Sequence, residues 1–127
     1  MPEQYLYEYA VIRVVPRVER EEFINVGVIL YCAKKKFLKL RYTLDVSRLH
    51  AIAPQLDLEE LEDHLKAMSN ICAGHHHAGT IGRLDLPSRF RWLTATRSTV
   101  IQPSKVHPGF CEDTDHTLEK LHHSLVL

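Results

Sequence analysis

The chain has 127 residues, of which 45% are hydrophobic and 25% are charged, values typical of one ordinary globular domain. Sixteen basic residues balance sixteen acidic ones, so no global field draws the protein toward nucleic acid or an anionic membrane. The apolar runs are shorter than the roughly 20 residues that a membrane span needs, and the first residues lack an export signal. We therefore expect a single cytoplasmic α+β domain over residues 1–127.

Three strands are predicted in the first third of the chain. Residues 5–15 carry apolar, β-branched or aromatic side chains on both faces, which predicts a central strand that Pro16 closes. Residues 24–33 and 37–42 predict a hairpin around a turn of three lysines. With a further strand at residues 98–102, the sequence predicts a mainly antiparallel sheet of about four strands.

Two or three helices are expected to pack against this sheet. Asp45 can cap a short helix over residues 46–53, and Asp57 with Glu60 forms a capping box for the next helix. Gly74 ends that second helix. Its residues at the spacing of a buried stripe are Leu58, Leu61, Leu65, Met68 and Cys72.

The second half of the chain gives weaker patterns. Residues 89–96 are predicted to form a loop, and residues 107–116 a turn. Asp113 or Thr114 can cap a final amphipathic helix. The residues that share one face of that helix are Leu118, Leu121 and Leu125.

Three consecutive histidines, residues 75–77, follow the second helix and suggest a metal site at first sight. Adjacent side chains point in different directions, however, whereas a structural site collects ligands that are separated along the chain. We interpret the histidines as an exposed turn. We therefore expect neither a metal site nor a cofactor.

Three cysteines without a Cys-x-x-Cys pair argue against both a disulfide framework and a zinc knuckle. They are expected to be reduced thiols, with Cys32 and Cys72 as small buried hydrophobic residues. Cys111 lies among acids and histidines, and nearby acids raise rather than lower the pKa of a thiol. Nucleophilic catalysis by Cys111 is therefore disfavoured.

The most suggestive local patch lies at residues 82–105, where five cations accompany a single acid. Guanidinium groups fit phosphate and carboxylate oxygens in pairs, and an aromatic ring beside them can stack a base. The same cations could instead pair with acids elsewhere, namely Glu8, Glu19, Glu21, Glu22 or Asp45. The patch consists of Arg83, Arg89, Arg91, Arg97 and Lys105, with Phe90 and Trp92 between them.

Polar residues can also converge at one end of the predicted sheet. Arg13 ends the first strand, and Asn25 and Gly27 begin the second. Arg97 and Ser98 begin the predicted strand near residue 100, so these segments could surround an anion. The alternative is a buried polar network that fixes the strand ends. Together with Arg89 from the basic patch, these residues give the candidate ligand-binding set, which is Arg13, Asn25, Arg89, Arg97 and Ser98.

Three blocks, residues 7–16, 22–30 and 89–93 running into 97–99, resemble the bacterial family catalogued as domain of unknown function number 3037. The family has no assigned activity. Some members are encoded beside kinases similar to the persistence-toxin serine/threonine kinases, so the resemblance implies an accessory or antitoxin-like role. The polar positions that match the family pattern are Arg13, Glu22, Asn25, Gly27, Asp45, Arg48, Arg89, Arg97, Ser98 and Gly109.

The function we expect is that of a noncatalytic accessory protein, which binds a kinase-like protein partner and a phosphate-bearing ligand. No nucleophile, base and oxyanion grouping appears, and the common phosphate-loop and dinucleotide-binding motifs are absent. One alternative is an enzyme acting on a phosphorylated or nucleotide substrate, with Arg13, Arg89 and Arg97 as clamps and Asp45 or Glu22 as base. A second is a nucleic-acid-binding domain that uses Arg89, Arg91, Trp92 and Arg97, which the balanced net charge disfavours. The oligomeric state stays open.

Overall fold

A computed structural model describes residues 3–74, 78–97 and 99–127. Within these residues, five strands form one antiparallel sheet: β1 (Tyr5–Val14), β2 (Ile24–Cys32), β3 (Phe37–Tyr42), β4 (Ile101–Pro103) and β5 (His107–Cys111). The helices are α1 (Val46–Ile52), α2 (Leu58–Ala73), α3 (Gly79–Gly82), α4 (Leu86–Leu93) and α5 (Thr114–Leu125), with a 3-10 turn at Val18–Arg20. The predicted α+β class is confirmed, with five strands where about four were expected and five helices where two or three were.

Strand β1 is central, as its apolar residues on both faces predict. It pairs along one edge with β2, which pairs in turn with β3, and its other edge is shared by β4 and β5. Ser104 bridges these two short strands. Its backbone N–H donates to the Val11 oxygen at 2.8 Å, and its Oγ accepts from the Val11 N–H at 2.8 Å. The second edge of β1 is therefore satisfied across the gap between β4 and β5.

The sheet is covered by helices on both faces. Alternation along β1 sends Ala10, Ile12 and Val14 to the face on which α1, α2 and α4 pack through buried residues. On the other face, α5 packs through Leu118 against residues of β2. Each large apolar side chain that is fully buried in this way contributes about 1.5–3 kcal/mol. The two layers place their polar residues at the helix ends and along the rims.

Four helices begin at an aspartate whose carboxylate accepts the backbone N–H three residues further on, at 2.9–3.1 Å. Such a cap stabilises a helix by about 1 kcal/mol because it satisfies a donor that has no partner within the helix. The capping residues are Asp45, Asp57, Asp85 and Asp113. The predicted caps of α1, α2 and α5 are confirmed, and Gly74 ends α2 in the left-handed conformation at φ 74°.

Three segments differ from the sequence prediction. The strand expected at residues 98–102 is β4, which covers only Ile101–Pro103, and Thr99 and Val100 lie before it. Residues 89–93 are not a loop, because α4 follows its cap Asp85, carries Pro87 in its first turn and buries Phe90 and Leu93 against the sheet. Residues 94–96 are irregular, as predicted. The predicted turn at residues 107–116 contains strand β5, although Pro108 and Gly109 normally interrupt strands. Gly109 is required there, since a Cβ atom would lie 2.5 Å from the Tyr7 hydroxyl. None of the described helices is both long and apolar enough to cross a membrane.

Candidate functional site

The structure brings together two of the five candidate ligand-binding residues, Arg13 and Asn25. They face each other across the β1–β2 pair, on the side of the sheet that α5 covers. The Arg13 guanidinium lies 4.1 Å from the centre of the Phe23 ring, and the Asn25 Nδ2 donates to the Leu125 oxygen at 3.0 Å. Arg13 Nε and Asn25 Oδ1 are buried without a hydrogen-bond partner among the described residues. Of this pair, Asn25 anchors the end of α5.

Arg89 lies on the opposite side of the sheet and serves the end of a helix. Its Nη1 donates to the backbone oxygens of Ile71 and Cys72, both at 2.9 Å, in the last turn of α2. The Ile71 oxygen also accepts the N–H of Gly74 at 3.1 Å, and the negative end of the helix dipole favours a cation beside both oxygens. Arg89 packs so tightly over Gly74 that a Cβ atom at Gly74 would lie 2.6 Å from Nη1.

Arg97 serves the end of α4 in the same way. Its Nη2 donates to the Trp92 oxygen, and its guanidinium lies 4.4 Å from the centre of the Trp92 ring. Arg48 repeats the arrangement at the end of α5, where Nη1 donates to the Val126 oxygen at 2.9 Å. Ser98, the fifth candidate residue, lies outside the described residues, as do the three histidines at 75–77.

The sequence left two interpretations of the arginines open, anion binding or pairing with acids. Arg91 does pair with an acid, since its Nη2 lies 3.1 Å from Glu8 Oε2. Arg48, Arg89 and Arg97 follow a third course and donate to backbone oxygens at helix C-termini. Arg13 and Asn25 are separated by the sheet from Arg89 and Arg97, so these four residues do not surround one common point.

A groove runs along α2, formed by two adjoining clefts that share His64 and Thr99. The cleft toward the start of α2 has a volume of about 320 Å³, and the cleft toward its end about 170 Å³. The first is also lined by Leu56, Asp57, Glu60, Leu61, Val100 and Ile101. The second is also lined by Ala67, Met68, Ile71, Trp92 and Arg97. We call this surface the α2 groove.

The α2 groove exposes apolar surface beside a fixed cation. Trp92 is 41% exposed and Val100 is 42% exposed, high fractions for such large apolar side chains. Arg97 holds the Trp92 ring by stacking on it while bonding to the Trp92 backbone, so both side chains are ordered before any ligand arrives. Within the described residues Arg97 forms no ion pair, unlike Arg91.

Two electrostatic effects act inside the α2 groove. Burial lowers the pKa of the His64 imidazole below its usual range, and the charge of Arg97 lowers it further, while Glu60 acts in the opposite direction. Partial burial lowers the pKa of the Arg97 guanidinium as well, yet an arginine stays protonated at physiological pH. The groove therefore holds a neutral imidazole and a permanent cation near neutral pH.

Two other clefts have charges that are compensated within the chain. Arg20 pairs with Glu22 in a cleft of about 370 Å³ beside the 3-10 turn. Arg41 lies 3.5 Å from Glu119 in a cleft of about 490 Å³ beside α5. A charged ligand would have to compete with these internal partners. The α2 groove is thus the better candidate for binding.

The cysteines are buried and unsuited to nucleophilic attack. Cys32 and Cys72 are buried as predicted, and Cys111 is buried at the end of β5. Burial raises the pKa of the Cys72 thiol to about 12, so that thiol is almost fully protonated at neutral pH. The described ranges contain no group of three or more histidines, cysteines or acids that could hold a metal ion.

Sequence patterns identified only part of the α2 groove. Trp92 and Arg97 stood out in the basic patch, but His64, Thr99 and Val100 gave no signal. His64 is one of several polar residues on the outer face of α2, and only the path of the chain after α4 places Thr99 and Val100 beside it.

Comparison with known proteins gives a family without an activity. A family model with the description "Protein of unknown function (DUF3037)" matches residues 9–126, nearly the whole chain. No curated protein and no solved structure matches the chain. The match includes residues 9–16 of the first block in which the resemblance was seen and the whole of the other two blocks. It also includes β5 and α5. The chain therefore belongs to the DUF3037 family of proteins of unknown function.

Proposed function

We propose that the protein is a noncatalytic module that binds a segment of a protein partner in the α2 groove. The observation that supports this most directly is the state of Trp92. The ring is 41% exposed, yet Arg97 fixes it from one side through stacking and a hydrogen bond to the Trp92 backbone. An exposed aromatic side chain that is ordered in advance loses little conformational entropy on binding.

Tryptophan and arginine are also the residues that most often dominate binding energy in protein interfaces. Here they adjoin an apolar surface formed by exposed Val100 and half-buried Leu56, above the buried Ile101 and Leu61. Covering that surface removes apolar area from water at about 25 cal/mol per Å². A groove of this kind supports recognition of a peptide segment better than it supports chemistry, because its titratable residues include no paired nucleophile and base.

The proposal keeps two expectations from the sequence in a more specific form. Arg97 is the cation that an acidic or phosphate-bearing group of the ligand would meet first. A serine/threonine kinase of the persistence-toxin type is the first partner to try, in a bacterial cytoplasm. Neither alternative function gains a specific observation, because Arg89 bonds to α2 and Arg91 pairs with Glu8 instead of remaining free as phosphate clamps.

The test compares Trp92→Ala with Leu84→Ala in affinity capture from native lysate, with nuclease added and retained proteins identified by mass spectrometry. Leu84 is a matched control, because it is 39% exposed and does not line the α2 groove. The identified partner is then purified and titrated. Loss of a buried tryptophan anchor is worth about 2 kcal/mol or more, so we expect Trp92→Ala to weaken binding about 30-fold.

Leu84→Ala should bind like the wild type. If both variants retain the partner equally, the partner does not use the α2 groove and the proposal is wrong. If a parallel capture without nuclease retains nucleic acid, or if mass spectrometry of small molecules finds only a phosphorylated compound, the proposal is wrong and the alternatives named above take precedence. Circular dichroism on both variants checks that neither change has unfolded the protein.

A further inference from the structure

The α2 groove has a defined length. Its lining residues on α2 begin at Glu60, pass through His64 and Met68, and end at Ile71. The eleven steps along the helix from Glu60 to Ile71, at about 1.5 Å each, span roughly 16 Å. An extended segment of about five residues, at roughly 3.3 Å each, or a helix of about eleven residues would fill that length.

The two ends of the groove carry opposite charge. Asp57 and Glu60 line the end near the start of α2, and Arg97 lines the other end. The Asp57 carboxylate accepts the Glu60 N–H, a bond that leaves its negative charge in place. Between the ends the lining is apolar apart from Thr99 and His64, and the imidazole of His64 is neutral near neutral pH.

These charges have no partners within the described residues. Asp57, Glu60 and Arg97 take part in none of the ion pairs found there. Glu60 lines only the first cleft and Arg97 only the second, while His64, which lines both, is influenced by the charge of each. A ligand that lies along the groove meets an acidic end and a basic end as separate features.

We infer that the α2 groove binds its partner segment in one direction, with a carboxylate side chain at Arg97, a lysine or arginine at Asp57 and Glu60, and apolar residues between them. This inference rests on the proposed function and adds the chemistry of the partner. Opposite charges at matching positions select an orientation, because the reversed segment places like charges together at both ends. A nucleic acid strand fits poorly, since its phosphates would meet the acidic end.

The experiment is a selection of displayed random 12-residue peptides on the immobilised full chain. Peptides that bind wild type and not Trp92→Ala are sequenced. We expect them to carry an acid toward one end, a base toward the other and apolar residues between. A solvated charge pair of this kind changes affinity about two- to fivefold, which repeated rounds of selection readily detect.

Selection is repeated on Glu60→Lys, which reverses one end of the groove at an exposed side chain. The expected result is that the basic position of the selected peptides becomes acidic, while the apolar positions persist. Glu59→Lys is the matched control, because Glu59 is its exposed neighbour on α2 and does not line the groove. That control should return the wild-type pattern.

The outcomes separate the two proposals. Peptides that depend on Trp92 but show no charge polarity, or that are unchanged on Glu60→Lys, overturn the directional inference and leave the proposed function standing. If no peptide depends on Trp92, both fail. If oligo-deoxythymidine binds in a Trp92-dependent manner while no peptide does, the groove is a nucleic-acid site and both fail as well.

Discussion

Arg13 and Arg97 each stack on an aromatic ring, at 4.1 Å and 4.4 Å from its centre, yet they lie in very different surroundings. Arg13 lies in β1 opposite Asn25 of β2, and its Nε is buried without a partner among the described residues. Arg97 lines an open groove beside an exposed tryptophan. Residue type and stacking are the same, so the elements that surround an arginine decide whether it is available to a ligand.

The largest expected effect concerns Arg89, which bonds to the end of α2 and does not line the α2 groove. Arg89→Ala leaves the Ile71 and Cys72 oxygens without their charged donor. Hydrogen bonds from charged groups contribute about 1.5–3 kcal/mol, so we expect the free energy of unfolding in urea to fall by about 2–3 kcal/mol. Arg83→Ala, at an exposed position, should change it by less than about 0.5 kcal/mol. A similarly small effect of Arg89→Ala would mean that water replaces the arginine at the end of α2.

An effect of intermediate size is expected when Arg13 and Arg97 are each replaced by methionine, which compares the two arginines directly. Arg97→Met removes the cation from the α2 groove and should weaken partner binding about tenfold, near 1.4 kcal/mol. Arg13→Met keeps much of the packing on Phe23 and removes a buried Nε that has no partner, so stability should change by less than about 1 kcal/mol. Binding should be unchanged. Weaker binding in Arg13→Met would erase the distinction between the two arginines.

The smallest effect concerns a histidine on the α5 side. His122 is 4% exposed and its Nε2 lies 3.0 Å from Thr43 Oγ1. Burial lowers its pKa, and the nearby Arg41 and His123 lower it further while Glu119 opposes them. A histidine whose pKa is lower in the folded than in the unfolded protein binds a proton more readily when the protein is unfolded. Acid therefore favours the unfolded state. The contribution of neutral His122 to the free energy of unfolding should therefore be fully present above about pH 6.5 and decline as the pH falls below that value.

The measurement is the midpoint of urea unfolding as a function of pH. His122→Gln retains a polar partner for Thr43 without an imidazole, so its midpoint should decline less between about pH 6.5 and 5 than that of the wild type. His64→Gln serves as the comparison on the groove side, where the imidazole is only partly buried and a smaller change is expected. Identical pH profiles for His122→Gln and wild type would contradict the assignment.

The fold was largely accessible from sequence wherever periodicity was strong. β1, β2, β3 and α2 follow from runs of apolar residues at spacings of two or of three and four, and aspartates mark the helix starts. α4 was missed because it has only eight residues and carries Pro87 in its first turn. β5 was missed because Pro108 and Gly109 are usual signs of a turn, and only the packing of Tyr7 over Gly109 makes a strand possible there.

The arginines show where sequence reasoning reaches its limit. Arg89 bonds to carbonyls 17 and 18 residues earlier, and Arg48 to one 78 residues later. A backbone oxygen at the end of a helix is present in every sequence and has no residue code, so no pattern could identify it as the acceptor. The sequence could show a local excess of cations, but it could not show which of them would bond to other parts of the folded chain.

Helix α5 has a consequence for the order of events during synthesis. Val28, Leu30 and Cys32 of β2 are buried beneath Leu118 and Val126, whereas the opposite face of the sheet packs on segments that emerge earlier. On the ribosome, the hairpin of β2 and β3 is therefore complete long before its second face can be covered. At about 5–20 residues per second, that apolar face stays open for several seconds, the interval in which a nascent chain is most prone to aggregate or to engage a chaperone.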